Sequence, residues 1–203
     1  MDESANNRIF LRGTPLAEPV YSHKSRDDVF YTFPIETVRL SGTADRLNVI
    51  LRESLLPDLK PSRAGLVEVE GEIRTFNNRS GQGSRLVITV FARSLFPGSE
   101  PVWENRAELT GTICRQPTHR LTPVGREITD LLRAVNRPYG RSDYLPCIAW
   151  GQNARLVSTW NVGDKVRLTG RLQSRDYIKN LGGSDQRRVA YEVSVSEISR
   201  LAE

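Results

Sequence analysis

Val166-Arg-Leu-Thr-Gly-Arg-Leu-Gln-Ser-Arg-Asp-Tyr177 opens on a clean alternation that runs to Leu172. Successive side chains on an extended strand point to opposite faces. Val166, Leu168, Gly170 and Leu172 therefore face one way, and Arg167, Thr169, Arg171, Gln173, Arg175 and Tyr177 the other. One side is core and the other is wet, cationic and aromatic. Upstream, Tyr144-Leu-Pro-Cys-Ile-Ala-Trp150 sets Tyr144 and Trp150 on one side and Leu145, Cys147 and Ala149 on the other. In the run before it, Arg133, Arg137 and Tyr139 share a parity, so three strands are expected to add to one surface. Flat rings for bases and cations for phosphates are what a single-stranded nucleic acid is held by.

The same pattern lies inside a duplication. A shift of 98 residues brings Asn7-Arg8 onto Asn105-Arg106, Leu11 onto Leu109, Gly13-Thr14 onto Gly111-Thr112 and Pro19 onto Pro117. It also brings Arg39, Gly42, Asp45, Leu47 and Ile50 onto Arg137, Gly140, Asp143, Leu145 and Ile148. After a slip of one residue, Gly71 meets Gly170. Two copies of one domain are expected: residues 1–97, a Pro- and Gly-bearing linker at 98–104, and residues 105–203. Each reads as alternating strands with one short helix. In the second copy the helix is expected over Asn153–Trp160, with Gly163 as its stop. About five strands, a helix between the third and fourth, and loops at Arg120–Arg126 and Asn180–Arg187 predict an all-β chain of two tandem OB-folds, five-stranded Greek-key barrels.

Composition narrows the function. The 203 residues carry a net charge of +5 and no apolar run near the ~20 residues that cross a bilayer. The start, Met1-Asp-Glu-Ser, is neither basic nor apolar, and a cytoplasmic, soluble protein is expected. The first 98 residues hold 13 Lys+Arg against 12 Asp+Glu and the remainder 16 against 12, so the basic surplus lies mostly in the second half. Cys114 and Cys147 have no second cysteine or histidine at ligand spacing, which predicts neither a zinc site nor a disulfide framework. His23 and His119 stand in polar, loop-like surroundings without a nucleophile motif, and no Gly-Lys-Ser/Thr phosphate loop is present. No enzyme, cofactor or metal is expected.

The second half resembles bacterial single-stranded DNA-binding proteins. The resemblance is carried by Asn105-Arg-Ala-Glu-Leu-Thr-Gly, Leu121-Thr-Pro-Val-Gly, Ala134-Val-Asn-Arg-Pro-Tyr-Gly-Arg, Pro146-Cys-Ile-Ala-Trp-Gly, Gly163-Asp-Lys-Val, Gly170-Arg-Leu-Gln-Ser-Arg-Asp-Tyr and Tyr191-Glu-Val. It implies stacking of bases on Tyr139, Tyr144, Trp150 and Tyr177, with Trp160 packing against the barrel instead. Phosphate contacts are expected from Arg133, Arg137, Arg141, Arg171, Arg175, Lys179, Arg187 and Arg188. The resemblance also implies four OB-folds per particle, hence a homodimer; a monomer whose two copies pair with each other is the alternative. The chain ends at Ile198-Ser-Arg-Leu-Ala-Glu203, where the family carries a long acidic tail, and a specialised form lacking that tail is expected.

The first half departs from this pattern. Ser41, Arg46, Arg52 and Asn78 stand where the second half has Tyr139, Tyr144, Trp150 and Tyr177, and Glu68, Glu70 and Glu72 line a face where it has Arg167, Thr169 and Arg171. Those carboxylates are expected to repel phosphates. Either the first copy is a structural partner, or it binds along a different track, with Arg46, Arg52 and Phe76 as secondary contacts. The leading expectation is a sequence-tolerant single-stranded DNA-binding protein of replication, repair or mobile-element maintenance, acting mainly through the second copy. The competing one is a protein-interaction scaffold of a primosome or conjugation complex with weak DNA binding. RNA stays open as a ligand, because stacking tolerates every base and only 2′-OH contacts separate the polymers.

Overall fold

In the computed structural model, residues 6–78, 86–137, 140–181 and 184–202 are described. The first copy runs β1 (Asn7–Pro15), β2 (Val20–Ser25), β3 (Asp28–Val38), β4 (Ala44–Arg52), a 3₁₀ segment Glu53–Asp58, β5 (Val67–Asn77) and β6 (Leu86–Pro97). The second runs β7 (Glu104–Ile113), β8 (Thr118–Leu121), β9 (Glu127–Arg137), β10 (Arg141–Trp150), helix α1 (Gly151–Ser158), β11 (Lys165–Leu181) and β12 (Ser184–Arg200).

Strands in the first barrel follow the order β2-β3-β4-β6-β5-β1, with β1 returning to pair with β3. In the second the order is β8-β9-β10-β12-β11-β7, and β7 returns to β9. The two orders are the same path. Both are OB-folds, closed by one short parallel seam: Val49 opposite Val90 and Ile50 opposite Phe91 in the first, Cys147 opposite Val193 and Ile148 opposite Ser194 in the second.

The repeated glycines mark where backbones crowd. A Cβ on Gly13 would lie 2.5 Å from the Glu36 carbonyl oxygen, and one on Gly111 would lie 2.4 Å from that of Ala134, both at the closing pair. At Gly71 and Gly170 the distances to the carbonyl oxygens of Phe91 and Ser194 are 2.2 Å each. No side chain fits there.

Alternation fills each barrel. Leu11, Phe33, Ile35, Leu47, Val49, Leu51, Val69 and Ile73 form the first core, and Leu109, Ile113, Val135, Leu145, Val166, Leu168, Leu172 and Val193 the second. The helix begins two residues earlier than expected, because Gly151 at φ 53° turns the chain out of β10. It also ends earlier, where Thr159 and Trp160 donate their N–H groups to Leu156 and Val157. Trp160 is buried, the packing role expected of it. The Asn180–Arg187 stretch, expected as a loop, is instead mostly strand, because β11 and β12 continue to Leu181 and from Ser184.

The chain divides into two compact units. One holds Ile9–Asn105 with Ser174–Ala190; the other holds Arg106–Gln173, Tyr191–Glu203 and the residues up to Arg8. Ser174–Ala190, part of the second copy by repeat, thus lies in the unit of the first barrel. Its anchor there is Ser174, whose N–H donates to Asp45 Oδ1 at 2.7 Å and whose carbonyl accepts from Arg39 Nη2 at 3.2 Å.

Candidate nucleic-acid interface

On β10 the expected division into faces holds. Leu145, Cys147 and Ala149 are buried, Tyr144 is 50% exposed and Trp150 is partly exposed on the outer side. Antiparallel pairing sets Trp150 opposite Ile128 and Tyr144 opposite Ala134 on β9. The Trp150 indole N–H donates to Ser194 Oγ on β12 at 3.2 Å, which fixes the plane of the ring. One strand further out, Arg120 pairs opposite Ile128, and its Nε donates to Asp130 at 2.6 Å. That hydrogen bond raises the guanidinium pKa. Arg120 is a cation of this face that a reading as loop overlooks; it lies on the short strand Thr118–Leu121 beside β9.

Two arginines assigned to phosphates are elsewhere. Arg133 pairs opposite Leu145, faces the barrel interior and is 0% exposed, so it does not reach a phosphate on the outer face. Its Nη2 donates to the Val166 carbonyl at 3.0 Å, while Nε and Nη1 have no hydrogen-bond partner. Burial pulls its pKa down, and burial likewise pushes the neighbouring Cys147 thiol up to about 11. Cys147 is a small residue of the core, and Cys114 is partly exposed. Arg137, on the same parity, is spent on Asp143: Nε donates to Oδ2 at 2.5 Å and Nη2 reaches Oδ1, with the carboxylate wholly buried. The first copy repeats this with Arg39 and Asp45, at 2.7 Å and 2.6 Å. The fork is a hinge pin of each barrel's third and fourth strands. The repeat register aligns all four residues, and this is the signal that identifies the pair.

The remaining expected residues fall as follows. Arg141 is exposed and Arg171 is partly exposed, its Nη2 donating to Gln173 Oε1 at 3.4 Å. Within the Ser174–Ala190 stretch, the Arg175 guanidinium lies 5.9 Å from the centroid of the Tyr177 ring. Arg187 is exposed and its Nη2 donates to Asp176 at 2.5 Å; Arg188 is partly exposed. Tyr139 and the side chain of Lys179 lie outside the described residues.

In the first copy, Arg46 and Arg52 project outward and pair with Glu36 at 3.0 Å and Asp28 at 3.2 Å, and Phe76 is 50% exposed. The glutamate ladder is not the free acidic face expected of it. Glu68 accepts from Arg12 Nε at 2.8 Å, from the Ser99 N–H at 2.9 Å and from the Ser99 hydroxyl at 2.6 Å. Burial alone would raise the Glu68 carboxyl, but these bonds outweigh it and hold the group below the usual carboxylate range. Glu72 accepts from Arg93 at 2.9 Å and also pairs with Arg74. Only Glu70 of the three is exposed. Among the described residues, no group of three or more His, Cys, Asp or Glu side chains is placed to hold a metal, and no helix is long and apolar enough to cross a membrane.

Residues 104–201 match the model of the Single-strand binding protein family. The second copy is thus similar to that family. The single-stranded DNA-binding protein of Halalkalibacterium halodurans is 33% identical over 85 residues, 38% of this chain and 51% of that protein. Single-stranded DNA-binding protein 3 of Listeria innocua is 31% identical over 100 residues, covering 46% and 60%. The chain spans about half to three fifths of the length of these relatives. Across both copies, the wild-type single-stranded DNA-binding protein from Thermus aquaticus superimposes with a TM-score of 0.77 at 23% identity, covering 97% of this chain and 93% of that one. That likeness is one of fold, and it spans the whole tandem.

Proposed function

We propose that the protein binds single-stranded DNA with little sequence preference, by base stacking and phosphate contacts, mainly through the second copy. The observation that carries this reading is the outer face of β10, where Tyr144 stands exposed and Trp150 partly exposed over the buried Leu145, Cys147 and Ala149, and Ser194 orients the indole. Stacking on such rings contributes about 1–3 kcal/mol per base. Cations come from Arg120, Arg141 and Arg171, with Tyr177 and Arg175 as a second ring and cation. The match of residues 104–201 to the family model and the names of the relatives agree with this chemistry. Four OB-folds per particle, in a homodimer, complete the proposal. In the first copy, Glu68 and Glu72 are paired with arginines, which leaves less free acid for the scaffold alternative.

The test is a titration with a thymidine oligomer, following tryptophan fluorescence at two salt concentrations. Trp150 is expected to be quenched, and affinity to fall with salt as counterions are released. Trp150→Ala combined with Tyr177→Ala is expected to weaken binding roughly 30-fold or more. Unchanged affinity in that double variant would end this site assignment, and a uridine oligomer bound equally well would widen the ligand to RNA.

A further inference from the structure

The arm Ser174–Ala190 belongs to the second copy by repeat and to the unit of the first barrel by contact. It carries Tyr177 and Arg175, the second ring and cation of the proposed DNA site, with the guanidinium 5.9 Å from the ring centroid. Its root is held at one residue. Asp45 Oδ1 accepts the Ser174 N–H at 2.7 Å and the Ser174 hydroxyl at 3.3 Å, and Arg39 Nη2 donates to the Ser174 carbonyl at 3.2 Å. The Arg46 N–H donates to the Ser174 hydroxyl at 3.3 Å. The fork thus grips both backbone groups of Ser174, the donor with its carboxylate and the acceptor with its guanidinium. Asp45 is wholly buried, so water does not compete for the carboxylate, and a bond from an N–H to a charged oxygen is about twice as strong as a neutral one.

We propose that Asp45 and Arg39 are positioning residues for the second copy's DNA site: the fork of the first barrel aims the arm that bears Tyr177 and Arg175, an inference that rests on the proposed function. Neither fork residue touches the ligand. Holding both the N–H and the C=O of Ser174 sets the direction in which β11 leaves the fork. Tyr177 lies three residues on, about 10 Å along the strand, so a tilt of about 10° at Ser174 would carry its ring off by about 2 Å. Further out, Arg187 on one side of the arm donates to Asp176 on the other, so the arm turns as one piece. An arm held in its bound direction loses little freedom when the ligand arrives, which is how preorganisation raises affinity. The grip is on the main chain, so the N–H at position 174 matters and the serine hydroxyl is secondary.

The experiment uses the full chain and a thymidine oligomer carrying 5-iodouracil, and reads affinity, Trp150 quenching and the yield of the Tyr177 photocrosslink. Ser174→Pro removes the N–H that Asp45 holds and leaves the Arg39–Asp45 fork whole; Gln173 before it is already extended in β11, as a residue preceding proline must be. This variant is expected to lose the Tyr177 crosslink and bind roughly 10-fold more weakly, as Tyr177→Ala does, while Trp150 is still quenched at saturation. Ser174→Ala keeps the N–H and C=O and is expected to bind like wild type. The two losses are expected not to add, so Ser174→Pro with Tyr177→Ala binds no more weakly than Tyr177→Ala alone, which a merely structural role would not produce. Asp45→Asn, which keeps an oxygen for the N–H but not its charge, is expected to lower the crosslink yield in the same direction, and carries the test if the proline variant misfolds and loses Trp150 quenching as well. Losses that add in full, or a wild-type Tyr177 crosslink in both Ser174→Pro and Asp45→Asn, would overturn the positioning role and leave the proposed function standing. Wild type that neither crosslinks nor quenches would overturn both.

Discussion

The two barrels share a frame and differ in what they fill it with. Strand order, closing glycines and the buried Arg–Asp fork coincide, from Gly13, Gly71 and Arg39–Asp45 to Gly111, Gly170 and Arg137–Asp143. Inside, Ile35 and Val49 of the first become Arg133 and Cys147 in the second. Outside, Arg52 and Phe91 become Trp150 and Ser194. Positions that close the backbone are held in common because no other residue fits them, whereas positions that only fill volume or face solvent have diverged. A duplicated fold is thus read best from its crowded points.

The comparison breaks most easily at the fork. Asp45→Ala and Asp143→Ala each remove a buried carboxylate from the grip of a partly exposed guanidinium, and each is expected to cost about 1–3 kcal/mol in urea unfolding. Asp45 also holds Ser174, so its loss is expected to be the larger. Equal tolerance of both variants would show that the shared fork is not what holds the frame.

A sharper contrast comes from importing the first core into the second. Arg133→Ile with Cys147→Val removes a buried cation whose Nε and Nη1 are unpaired, and is expected to leave the barrel unharmed or stabilise it by about 1–4 kcal/mol. Thermal melts check this, and a large loss of stability would mean that Arg133 holds the barrel through its bond to the Val166 carbonyl.

The smallest effect concerns acid. The Glu68 carboxyl is held below its ordinary range in the folded chain, so the stability it contributes is complete above that range and is lost as pH falls through the lowered folded value. Glu68→Gln is expected to cost about 1–2 kcal/mol at neutral pH and to flatten the acid limb of a stability profile. An acid limb identical to wild type would show that the Arg12–Ser99–Glu68 cluster adds nothing specific to the first barrel.

How far this was legible from residues depends on the strand. In β10 and β11 apolar and polar residues alternate cleanly, so the outer face with Tyr144 and Trp150 could be read directly. The duplication supplied the tandem barrels. In β9 both parities carry apolar residues, Leu131 and Val135 on one and Ile128 and Leu132 on the other, so periodicity could not choose the core side, and Arg133 went to the wrong face. The repeat itself held the answer, because Ile35, at the position of Arg133, is apolar. The forks escaped for another reason. Arg39 with Asp45 and Arg137 with Asp143 sit six residues apart across a turn, a pairing that spacing rules for a single strand do not anticipate. The parallel pairing of Phe91 with Ile50 joins distant segments, and such pairing is invisible to local pattern.

Each barrel's parallel seam joins only two residue pairs, as few as its closing pair. Local opening there parts Ile50 from Phe91 and Ile148 from Ser194 before the rest of the sheet yields, as expected where binding elements come from the less stable end of a fold. A strand of bases lying across that junction would act as a clamp on it. Amide exchange at Val90, Phe91, Val193 and Ser194 would then report occupancy barrel by barrel, with the protein's own breathing as the signal.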